Sequence, residues 1–225
     1  MVTCILAIAD EVDKVLYSKE CLARLNPDLV VACGDLPGDY LEYIVTMASV
    51  PLVFVPGNHD PDLSPRRPEE ELASFTQPFS FDRAGRDTPG PAGCINADGR
   101  IVESAGVVIA GLGGSHAYNF GPNQYTEAQM RRRTLRLQVR DRLRRAGNRK
   151  PIDLLITHAP PLGLGDEGDL AHRGFACFHP LVRSLAPELL AHGHVHPYGR
   201  KPPTHHLANT EVVNVVGHRL LELSR

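Results

Sequence analysis

The chain has 225 residues, 42% of them hydrophobic and 22% charged, with a formal net charge of −2 and 11 histidines. This length provides one large domain or two small ones, and so much hydrophobic content with so little net charge excludes a disordered chain. No apolar run approaches the ~18 residues of a membrane span.

Residues 2–9 are apolar and rich in β-branched side chains up to Asp10, which predicts a buried strand. With Asp10 cutting the run and no basic region before it, no signal peptide is expected. The spacing predicts a helix over 18–25 with Ser18 as N-cap, a strand over 28–33 stopped by Gly34-Asp35, and a helix over 40–49. A third strand over 51–56 ends at Gly57-Asn58-His59-Asp60. This alternation favours a parallel, helix-covered sheet. Residues 61–93 break it. They are rich in Pro, Arg, Glu and Gly without a sustained period, and read as a surface insertion with one short helix over 69–75.

Strands over 101–103 and 107–111 form a hairpin, and a Gly-rich loop follows over 111–121. The helix over 126–146 is capped by Thr126 and stopped by Gly147, and its recurring Leu135, Val139, Leu143 and Ala146 are expected to face the core. A strand over 153–157 ends at His158. A helix near 179–185 leads to a strand over 188–191 and then to His192-Gly193-His194-Val195-His196. The tail reads as a hairpin of 211–216 and 218–223 turning at Gly217. No repeat or linker divides the chain, so residues 1–225 are expected to form a single α/β domain.

Polar residues gather at the strand ends: Asp10, Gly34-Asp35, Gly57-Asn58-His59-Asp60, Thr157-His158 and Gly193-His194-Val195-His196. Open α/β sheets bind ligands outside the C-terminal ends of their strands, so these clusters should converge. Carboxylates, an amide oxygen and imidazoles together suit divalent Mn, Fe or Zn. Two such ions ~4 Å apart can clamp a phosphoryl group and activate water.

In this order the fragments resemble the calcineurin-like metallophosphoesterase family, whose pattern is D-x-H, GD, GNH(D/E), a His after a strand, and GHxH. The resemblance runs from Asp10 to His196. It implies a four-layer α/β/β/α sandwich of two mixed sheets flanked by helices, and one or two divalent ions. By that resemblance Asp35 bridges two metals, Asn58, His158 and His194 complete one site, and Asp10 and His196 belong to the other. His59 faces the substrate, protonating the leaving group or stabilising phosphoryl charge, and Asp60 orients its imidazole. The implied reaction is in-line attack of a metal-bound hydroxide on a phosphomonoester or phosphodiester, with no covalent enzyme intermediate.

One position departs. The family has His two residues after its first Asp, whereas this chain has Val12, which carries no donor atom. The first site is then weak or vacant, completed by water, or completed by a substitute among Glu11, Asp13 and His116. His192 is expected to be a satisfied buried histidine, and His172, His179, His205, His206 and His218 structural or surface residues. Tyr118, Asn119, Asn123 and Tyr125 are candidate substrate contacts if their loop caps the cleft.

Residues 127–150 hold ten Lys/Arg against two acids, a net of +8 that leaves −10 on the rest. Such a run is usually a solvated helix face, and no aromatic side chains are interleaved for base stacking. The five cysteines, Cys4, Cys21, Cys33, Cys94 and Cys177, are odd in number and lack a CxxC pair, which reads as reduced thiols in the cytoplasm. The leading expectation is a cytoplasmic metal-dependent phosphoesterase of a small phosphorylated substrate, without a membrane partner. The alternatives are a binding scaffold of the same fold, favoured slightly by Val12, and a nuclease whose nucleic-acid track is the basic helix.

Overall fold

The computed structural model describes residues 2–63, 90–199 and 202–224; the short helix expected over 69–75 lies outside them. One sheet contains β1 (Val2–Ala9), β2 (Leu29–Ala32), β3 (Leu52–Phe54), β4 (Cys94–Asn96) and, from the tail, β13 (Gly217–Ser224), in the order β13-β1-β2-β3-β4. The other contains β5 (Ile101–Ser104), β6 (Val107–Leu112), β9 (Leu154–Thr157), β10 (Leu189–His192), β11 (His205–Leu207) and β12 (Thr210–Asn214), in the order β11-β12-β10-β9-β6-β5. A small pair, β7 (Ser115–His116) and β8 (Gln124–Tyr125), carries the loop after β6. Both large sheets mix parallel and antiparallel neighbours.

Side chains alternate across a strand, and β1 shows how that builds layers. Ile5, Ala7 and Ala9 point into a core shared with Ile109, Ile156, Ala191 and Val213 of the second sheet. Leu6 and Ile8 point the other way, onto Leu22 of α1 (Lys19–Leu25) and Tyr40, Leu41 and Ile44 of α2 (Gly38–Ala48). On the far side, Val108, Leu155, Leu190 and Val212 meet Met130 and Leu137 of α3 (Glu127–Ala146) and Phe178, Leu181 and Val182 of α4 (Phe178–Leu185). The result is the expected α/β/β/α order. With ~1.5–3 kcal/mol for each fully buried large apolar side chain, the two central sheets carry most of the stabilisation. Among the described residues, no helix is long and apolar enough to cross a membrane.

Two expectations are corrected. The tail is not a hairpin: β12 runs parallel to β10 in the second sheet, whereas β13 pairs antiparallel with β1 from Val2–Ser224 to Ala9–Gly217. Gly217 opens β13, and the chain crosses between sheets just before it, so that Leu221 and Leu223 complete the inter-sheet core.

The helix α3 also presents the opposite face. Leu135, Val139 and Leu143 are 50%, 52% and 70% exposed, while Met130, Thr134, Leu137 and Asp141 are buried. Polar anchors set that rotation. Arg133 pairs with Asp98, donates to the Gly113 carbonyl at 3.0 Å and lies over the Tyr125 ring, and Asp141 accepts from Arg145 at 2.7 Å. A Thr126/Gln129 capping box fixes the start of the helix.

Candidate metal centre

The polar clusters meet where β1, β2, β3, β9 and β10 end. Asp10, Asp35 and His194, each just past a strand, have φ of 59°, 55° and 70°. Asp and His adopt the left-handed region more readily than most residues, which suits them to these tight turns at strand ends. Glycines make the approach possible at two points. A Cβ on Gly57 would overlap the Asp35 carboxylate, and one on Gly193 would overlap that of Asp10.

Asp35, His158 and His194 each offer a ligand atom, all within 4.8 Å of one another. His158 Nε2 lies 3.3 Å from Asp35 Oδ2 and 2.9 Å from Asn58 Oδ1. The Asn58 amide is turned by Tyr118: its Nδ2 donates to the Tyr118 hydroxyl at 3.1 Å, which aims Oδ1 at His158. Asp10 is joined to the group through the His194 N–H, which donates to its Oδ2 at 2.9 Å.

Each proposed imidazole ligand has one nitrogen fastened by a protein acceptor. His158 Nδ1 donates to the Cys33 carbonyl at 2.7 Å, His194 Nε2 to the Ala171 carbonyl at 2.6 Å, and His196 Nδ1 to Glu11 Oε1 at 3.0 Å. A donor at one nitrogen leaves the lone pair on the other, the tautomer needed for a metal ligand.

Electrostatics point the same way. Burial, helped by the Asp35 charge, pushes Asp10 up to about 6 against the pull of His158, the His194 N–H and His196. Burial would also raise Asp35, yet His158 and the His59 N–H hold it below the usual carboxylate range. Burial depresses His158, but the Asp35 hydrogen bond and the charges of Asp10 and Asp35 outweigh it and lift the pKa to about 9. His194 is pushed down to about 3 by burial and by His158, so its imidazole is neutral. His194 offers a neutral nitrogen, a cation between the Asp35 and Asn58 oxygens would take the place of the proton these acceptors hold on His158, and the two-oxygen, two-nitrogen set of Asp35, Asn58, His158 and His194 fits a divalent metal.

The remaining candidates divide. His59 is exposed, and its N–H donates to Asp35 Oδ1 at 2.8 Å, which leaves the ring toward solvent. Asp60, expected to orient His59, has its Oδ2 on the backbone: it accepts from the Asp35 and Gly57 N–H groups at 2.9 and 2.7 Å and ties the two turns together. Asp13 is drawn away to His218 at 2.6 Å and caps the short helical turn Lys14–Tyr17. His116 stacks on Phe175 and donates to the Gly174 carbonyl at 3.2 Å, so its ring is committed there. Of the three substitutes, Glu11 alone contacts a proposed ligand, His196.

His192 is buried, with Nδ1 on the Gly193 carbonyl, but its Nε2 has no hydrogen-bond partner among the described residues. The loop residues Tyr118 and Asn123 brace the site: Asn123 Nδ2 donates to the carbonyls of Gly57 and Asp60, both at 3.0 Å. His172, expected to be a structural or surface residue, has its ring 5.3 Å from that of His194 and contacts Asp169 at 2.9 Å.

The calcineurin-like phosphoesterase family model matches residues 5–198. No curated protein matches the sequence significantly. One solved structure aligns over 100% of both chains with a TM-score of 0.63 at 18% identity. TT1561 of Thermus thermophilus aligns over 99% of this chain and 98% of its own, with a TM-score of 0.62 at 15% identity. GAP50, the anchor in the inner membrane complex of Plasmodium, aligns over 99% and 81%, with a TM-score of 0.54 at 12% identity. At such identities the likeness to these structures is one of fold.

Proposed function

Because the chain belongs to the calcineurin-like phosphoesterase family, we propose that it hydrolyses a small phosphomonoester or phosphodiester with the help of divalent ions, manganese foremost. The observation that carries this reading is the convergence of Asp35, His158 and His194 with the Asn58 oxygen at one point between strand ends. Asp35, Asn58, His158 and His194 would hold one ion; Asp10 and His196, sharing Asp35, would hold a second. Bound there, the ions supply Lewis-acid activation of water and neutralise phosphoryl charge.

The protein's own groups do the rest. Asp60 and Asn123 hold the Gly57–Asp60 turn rigid, so that His59 projects beside the ligands. Its exposed imidazole is free to give a proton to the leaving oxygen as the ester bond breaks. The five unpaired cysteines support a reducing compartment, the cytoplasm.

The test is hydrolysis of bis-p-nitrophenyl phosphate and p-nitrophenyl phosphate after chelation and Mn²⁺ addition. Turnover should return with Mn²⁺, fall at least about 100-fold in Asp35→Asn, and fall in His59→Ala while metal binding persists. No turnover on either ester by folded, Mn²⁺-loaded protein would overturn the enzyme reading and leave a binding scaffold.

A further inference from the structure

Resting on that reading, we infer that Glu11 is the positioning residue of the ion site of Asp10, Asp35 and His196, holding His196 so that the site is retained although position 12 is a valine. His158 and His194 are buried and anchored by backbone carbonyls, Cys33 and Ala171, which the fold itself fixes. His196 is different. It lies beyond β10 at a half-buried position, with a side chain 37% accessible, and the group on its Nδ1 is the Glu11 carboxylate.

The pairing is built by the backbone. Asp10, in the left-handed region, donates its N–H to the Gly34 carbonyl at 3.1 Å, and the next residue turns back so that the Glu11 N–H reaches the Ala9 carbonyl at 2.6 Å. That turn sends Glu11 across to the segment after β10, and leaves Val12, 36% exposed, at the surface. His196 also acts electrostatically on Asp10, the carboxylate with which it would share an ion.

A carboxylate on Nδ1 fixes the ring, leaves the lone pair on Nε2 and raises its basicity, and loss of such a partner typically weakens metal binding about 10–100-fold. Glu11 thus acts through His196 rather than as a ligand itself. The chemistry it serves is an oxygen-rich position, two carboxylates and one imidazole, suited to Mn²⁺ more than to thiophilic metals.

The experiment is Mn²⁺ titration of metal-free protein by calorimetry, with wild type, Glu11→Ala, Glu11→Gln and Asp35→Asn, each checked for folding by thermal melting. Wild type should bind two ions. Glu11→Ala should weaken one by about 10-fold or more and leave the other unchanged, whereas Glu11→Gln, whose amide oxygen still accepts from Nδ1, should stay within about 3-fold. Three results would overturn the inference: a single ion in wild type, two unaltered ions in Glu11→Ala, or equal losses in Gln and Ala variants, the last making Glu11 a ligand. Wild type that binds no Mn²⁺, or binding indifferent to Asp35→Asn, would instead sink the phosphoesterase reading itself.

Discussion

At the scale of single residues, the site is a set of turns that only certain side chains permit. Gly57 and Gly193 sit where a methyl group would collide with the carboxylates of Asp35 and Asp10. Alanine at either position must push a ligand aside, so Gly57→Ala and Gly193→Ala should each lower Mn²⁺ affinity by about 10-fold or more, the loss typical when a ligand's support is disturbed. Calorimetric titration of folded protein checks this. The proposed ligands are legible in the sequence because donor residues interrupt apolar runs, as Asp10 does after Ala9 and His158 after Thr157. Their supports were not. The carbonyls of Cys33 and Ala171 are groups every residue possesses, and Tyr118 reaches Asn58 across 60 positions of chain. Asp60 was visible as a neighbour of His59, but sequence adjacency did not reveal that its carboxylate serves the backbone of Asp35 and Gly57 instead.

At the scale of elements, α3 shows where pattern reading fails. Two apolar sets share the helix: Leu135, Val139 and Leu143 on one face, Met130 and Leu137 on the other. The first is the longer stripe, yet Arg133, fastened to Asp98 and Gly113, and Asp141, paired with Arg145, turn the second inward. Leu137→Ala should therefore cost about 2–5 kcal/mol in urea unfolding. Leu135→Ala should stay within about 0.5 kcal/mol, as exposed substitutions do. The same anchors explain much of the helix's positive charge: Arg133, Arg140, Arg144 and Arg145 bind groups of this chain, which weakens the case for a nucleic-acid track. Long, doubly buried strands such as β1 were plain in the sequence. Two- and three-residue strands such as β7, β8 and β11 leave too short a pattern to register.

At the scale of the whole molecule, residues of five strands from two sheets meet at one edge of the sandwich. A strand buried on both faces reads the same whichever sheet it joins, so family resemblance alone implies the second sheet and the pattern of the tail suggests a hairpin. In fact β12 and β13 lie in different sheets, and β13 flanks β1, the strand that delivers Asp10 and Glu11. The inter-sheet core of Ala9, Cys33, Val55, Ile156 and Ala191 packs the two sheets together behind the proposed ligands. Anomalous diffraction from crystals of the protein grown with Mn²⁺ tests whether this edge is a metal centre. A metal centre here requires a manganese peak within coordination distance of Asp35, Asn58, His158 and His194. That assignment would be contradicted by the absence of a peak there, or by manganese held only at the other cluster of metal-competent side chains among the described residues, Glu167, Asp169 and His172.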